Sequence, residues 1–228
     1  AGTADLIREL GLAAPGTDFE SDLQYISIIG SIEGHIALPM ENKTTKYEHL
    51  IPQLIAVEEN PKLRGLLVIL NTMGGDVEAG LALAEMIATL SKPTVSLVLG
   101  GGHSIGIPLA TATDYSFIAG TATMTLHPIR TTGLVITAET TFDYMRKTQD
   151  RVIDFIAGHS RATRKRVTEL MNCSDNMSND VGTILFGKEA VDAGIIDAVG
   201  GVSQALGELR RRVAKVDELE KEISISTN

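Results

Sequence analysis

Apolar residues fall into two kinds of run along this chain. Short, unbroken stretches rich in Val, Ile and Leu predict buried strands over 25–30, 65–70, 94–99, 115–118 and 122–126. Longer stretches with apolar positions three or four apart predict helices. The first spans 46–59, with Leu50, Leu54, Ile55 and Val57 on one face and Pro61 as its stop. Others follow over 76–90, 104–112, 139–157, 161–171 and 187–194, and a charged one over 208–222. Residues 129–136 suit extended chain. Strands without a polar face that alternate with helices imply a parallel sheet covered on both sides.

In such a sheet, binding groups gather in the turns beyond the carboxyl ends of strands. Two turns stand out: Asn71-Thr72-Met73-Gly74-Gly75, and Gly100-Gly101-Gly102-His103-Ser104-Ile105-Gly106. The second contains G-x-S-x-G, a pattern that exposes a serine on a sharp strand-to-helix turn. Ser104 is therefore a candidate nucleophile, although serine is equally at home as a helix N-cap. A serine hydroxyl needs a neighbour to take its proton. His127, in Thr125-Leu126-His127-Pro128, is the candidate base. The N–H groups of Gly75 and Ile105 are candidate oxyanion donors, which stabilise a tetrahedral intermediate by several kcal/mol.

Composition narrows the partners. The 228 residues carry a net charge of -9, which argues against a nucleic-acid or anionic-membrane surface. The basic run from Arg161 to Arg166 reads as a solvated helix face. No run approaches the roughly 20 apolar residues that span a bilayer. The first residues lack the basic and apolar regions of a signal peptide, and the single cysteine, Cys173, permits no intrachain disulfide. Together these predict a cytoplasmic protein without metal or cofactor.

The motifs coincide with one family. Asn71 to Val77, Gly100 to Gly106, Met124 to Pro128 and Gly187 to Asp197 resemble, in order and spacing, the signature segments of the ClpP family of serine peptidases (family S14). The resemblance covers about residues 24–200. It is nearest to that family's translocation-enhancing branch in spore-forming Firmicutes, on the Gly-Gly-Gly-His-Ser-Ile-Gly turn, the segment Asn42 to His49 and the context of His127. It implies an α/β, ClpP/crotonase-like fold of repeated ββα units with a parallel sheet and a protruding handle helix.

The resemblance further implies a peptidase domain over 23–202 with its handle at about 129–158; outside it, the polar, Gly/Pro-punctuated residues 1–22 predict a loosely ordered arm, and the charged residues 203–228 a lightly docked C-terminal helix. The activity implied is hydrolysis of peptides or unfolded proteins by a Ser-His-Asp triad, linked to translocation or sporulation-type processing. Homo-oligomeric rings fed by AAA+ unfoldases are also implied, though the groove for such an unfoldase is not recognisable in this sequence. Main chain near Gly74 and Val77 would bind substrate.

Two departures matter. Met73 stands where the family has proline. Counting back from Glu189 without gaps puts the family's aspartate at Gly182, whereas a two-residue insertion puts it at Asp180, with Asp175 as the fallback. Three alternatives accompany this reading. One is a Ser/Lys dyad with Lys147. A second is a noncatalytic scaffold. The third is a crotonase-like acyl-CoA enzyme, which would need an acid such as Asp76 or Glu78 beside the oxyanion hole.

Overall fold

The computed structural model describes residues 21–130, 137–174 and 181–226. The arm expected over 1–22 lies outside them except for its last two residues, and so do positions 131–136. In chain order the elements are β1 (Leu23–Glu33), β2 (Thr44–Lys46), α1 (Tyr47–Glu59), β3 (Gly65–Gly75), α2 (Val77–Ala88), β4 (Thr94–Gly102), α3 (Gly106–Thr111) and β5 (Tyr115–Ile118). There follow β6 (Thr123–Leu126), α4 (Ala138–Gly158), α5 (Arg164–Met171), β7 (Thr183–Phe186), α6 (Gly187–Asp192), β8 (Ala198–Val199) and α7 (Val202–Ser226).

The main sheet runs β2-β1-β3-β4-β5-β8, and each neighbouring pair is parallel. Parallel neighbours require crossover connections, which helices supply except between β1 and β2, joined by residues 34–43 without one. β6 stands off this path. It meets β4 at one register pair, Gly101 with Thr123, and pairs antiparallel with β7. That hairpin-like annex was not predicted, because β7 is four residues long and its partner lies far earlier in the chain.

The apolar strands are explained by two cores. Val68 and Leu70 of β3 face the layer that holds Leu54, Leu83, Ile107 and Ile153. Leu67 faces the other way, onto Leu97, Phe117 and the α7 residues Ala205, Leu209 and Val213. A strand buried on both faces has no polar side to show. α7 starts at Val202 rather than near 208 and is firmly seated, since Ala205 and Leu209 are fully buried. Its stripe at i, i+4 and i+8 lies on the sheet, and the Arg212 guanidinium covers the Tyr115 ring at 5.3 Å.

The apolar stripe of α4 divides. Val152, Ile153 and Ile156 are buried in the protein's own core, while Phe142 and Tyr144 remain 68% and 62% exposed. The basic run is a paired surface: Arg164 binds Asp150 and Asp154 of α4, and Arg161 donates to the Ile196 carbonyl at 2.9 Å.

Candidate active site

Ser104 is the one described non-glycine residue with positive φ, at 56°. A side chain in the left-handed region costs free energy, and here the surroundings enforce it. The His103 N–H donates to the Thr72 carbonyl at 3.1 Å, and the Ser104 N–H donates to the Thr125 carbonyl at 2.9 Å. The Ile107 N–H closes the turn on the Ser104 carbonyl at 3.0 Å. Gly74 packs against the serine. A β-carbon there would lie 2.7 Å from Ser104 Cβ, and its own φ is 91°, so only glycine fits. The turn expected to supply the oxyanion hole is thus directly beside the nucleophile. Among the described residues the Ile105 N–H has no hydrogen-bond partner.

His127 follows β6 directly. Its Nδ1 lies 2.7 Å from the Pro128 carbonyl oxygen, which can only accept. The proton therefore sits on Nδ1, and Nε2 keeps the lone pair that a general base needs. Sequence reading assigned this tautomer-holding role to a carboxylate and missed the carbonyl. Asp180 and its fallback Asp175 lie outside the described residues.

Ser104 and His127 line one cavity of about 80 Å³ with Val77, Ile105, Ile107, Leu126, Ile129, Val152, Ile156 and other neighbours. Its walls are largely apolar, and the root of the long helix α4 forms part of them. A serine with positive φ and a histidine whose Nδ1 faces a carbonyl thus border one largely apolar cavity.

Comparison with known proteins places this arrangement. The family model for Clp protease matches residues 21–203. The chain belongs to the Clp protease family. It is 54% identical over 215 residues to the translocation-enhancing protein TepA of Halalkalibacterium halodurans, covering 94% of this chain and 84% of that protein. It is 25% identical over 162 residues to an ATP-dependent Clp protease proteolytic subunit of Streptococcus uberis, covering 66% and 76% respectively. The mixed α/β architecture with its mostly parallel sheet is that of the Clp protease domain.

Against this family background the departures can be located. Gly182 does lie beside His127: a β-carbon on it would meet the Leu126 carbonyl oxygen at 2.3 Å and His127 Cβ at 3.0 Å. Its φ of 141° also excludes a side chain with little strain. Met73, in place of proline, is exposed, while β3 stays paired with β1 through Gly74 and Gly75. Lys147 is exposed on α4 and does not line the cavity, so it lacks the desolvation a neutral lysine base requires. Asp76 caps α2 by accepting the Ala79 N–H at 2.9 Å. Glu78 is held by Arg151 at 2.7 and 3.0 Å. Both acids that the acyl-CoA alternative would use are thereby engaged elsewhere. Among the described residues no helix is long and apolar enough to cross a membrane.

His103 is a variable position of G-x-S-x-G, to which the motif assigns no role. Its Nδ1 lies 2.9 Å from Thr125 Oγ1, and burial, followed by the proximity of His127, holds its pKa below the usual histidine range. The signal that could have found it is the run of three glycines before it, of which Gly101 leaves room for the ring: a β-carbon there would lie 2.4 Å from Nε2.

Proposed function

We propose that this chain is a cytoplasmic serine endopeptidase of the Clp type that hydrolyses peptides or unfolded proteins. The observation that supports this most is that Ser104, held at φ 56°, shares a cavity with His127, whose Nε2 lone pair is kept available by the Pro128 carbonyl. In this reading His127 Nε2 takes the Ser104 proton as Oγ attacks the scissile carbonyl. The N–H groups of Gly75 and Ile105 hold the oxyanion. His127 then protonates the leaving amine, and water repeats the cycle on the acyl-enzyme. Asp180 stabilises the imidazolium that forms, while the Pro128 carbonyl holds the ring. Main chain from Gly74 to Val77 pairs with an extended substrate, and the apolar walls receive an apolar side chain.

The exposed Phe142 and Tyr144 near the start of α4 supply contacts for a homo-oligomeric ring. The name of the 54% identical relative, translocation-enhancing, extends the proposal to a role linked to protein translocation. The test is a pair of measurements on Ser104→Ala. Assembly is retained, whereas peptide hydrolysis and labelling by a fluorophosphonate are both abolished. Labelling that persists in the variant would sink the assignment.

A further inference from the structure

The strand that carries the nucleophile turn and the strand that leads to His127 share very little sheet. β4 and β6 meet at Gly101 with Thr123 alone. A strand pair of that extent does not fix its own register; burial of Met124 and Leu126 and pairing with β7 seat β6, and the fine alignment of Ser104 with His127 is left to local contacts. Thr125, two residues before His127, is gripped from both sides. Its carbonyl accepts the Ser104 N–H at 2.9 Å, and its Oγ1 lies 2.9 Å from His103 Nδ1. The half-buried His103 ring also fills the space above Gly101, where a β-carbon would sit 2.4 Å from Nε2.

Resting on the peptidase reading above, we propose that His103 is a positioning residue: through Thr125 it clamps the nucleophile turn to the strand that ends in the base. Adjacent residues, 103 and 104, hold one threonine by its side chain and by its backbone. Two such points fix the twist between the strands as well as their distance. The threonine hydroxyl both donates and accepts, so the clamp closes with either neutral tautomer of the ring. Burial, followed by the neighbouring His127, lowers the ring's pKa and so favours its neutral form.

The experiment compares His103→Ala, His103→Asn, Thr125→Val and the double variant His103→Ala/Thr125→Val in the full chain. Two readouts are used: the rate of fluorophosphonate labelling of Ser104, and hydrogen exchange of the Ser104 amide. Loss of one side-chain hydrogen bond slows labelling and speeds amide exchange by about three- to tenfold in each single variant. The double variant is no worse than either single, because both remove the same bond. Asparagine places a polar atom where Nδ1 was and restores both rates to within about twofold of wild type. Additive effects, a silent Thr125→Val, or asparagine no better than alanine would each overturn the clamp and leave His103 a packing filler. A wild-type protein that is never labelled refutes the peptidase reading instead, and amide exchange then still decides the clamp.

Discussion

The nucleophile turn grows from the middle of the main sheet, whereas His127 ends a four-residue strand that touches this sheet at one register pair. On the serine side, β3 and β4 are paired from Leu66 to Thr72, Gly74 packs on Ser104, and the backbone is committed to a conformation that only tight packing sustains. On the histidine side, the ring depends on its own neighbour's carbonyl, on β7 and on the bonds to Thr125. The contrast teaches that one half of the site is set by continuous sheet pairing and the other by two buried side chains of β6, a short antiparallel pair and a few polar contacts. Perturbations of the serine half should be abrupt, and those of the histidine half graded.

The largest test of this contrast removes the base. His127→Gln keeps the ring's place filled but offers no basic nitrogen to take the proton, and kcat falls by about 10²- to 10⁴-fold. Single-turnover acylation measures this directly. Next comes Gly74→Ala, which forces a β-carbon against Ser104; displacing the nucleophile by a fraction of an ångström lowers the labelling rate by up to about a hundredfold. Retention of the full rate would show that the serine half yields as easily as the other.

Asp180→Asn should cost less, about ten- to a hundredfold in kcat, because Pro128 already holds the tautomer and only stabilisation of the imidazolium is lost. Asp175→Asn serves as the control and stays near wild type. The smallest effect concerns the tie between α2 and α4. Hydrogen bonding to Arg151 lowers the Glu78 pKa, so its stabilisation is present above the ordinary glutamate pKa and lost as pH falls through the depressed one. The pair is largely exposed, and Glu78→Gln lowers Tm by about 1–2 °C at neutral pH. That difference vanishes in acid, as thermal scans across pH would record.

The same division governs what the sequence disclosed. Strands buried on both faces and helices with clear periodicity are local patterns, so the main sheet and the Ser104 turn could be read from them. The starts of α3 and α4 were legible to within about two residues, the ordinary uncertainty of helix ends. β7 and β8 were not legible, since each is short and gains its stability only from distant partners. The start of α7 was placed too late because Glu208 and the arginines after it mask Ala205, whose burial depends on Leu67 and Leu97 far away in sequence. Within the site, residue identities announced Ser104 and His127. Nothing local announces that a proline carbonyl takes the Nδ1 proton, because that bond is a property of the backbone path after β6.

The lone register pair between β4 and β6 separates two quantities that are often equated. A small shift of the annex that keeps Met124 and Leu126 in the core moves His127 while every pairing of the main sheet stays intact. A preparation can then melt at the wild-type temperature and still hold few competent sites. Specific activity should therefore be normalised to the number of serines that react in an active-site titration, not to protein mass or melting temperature.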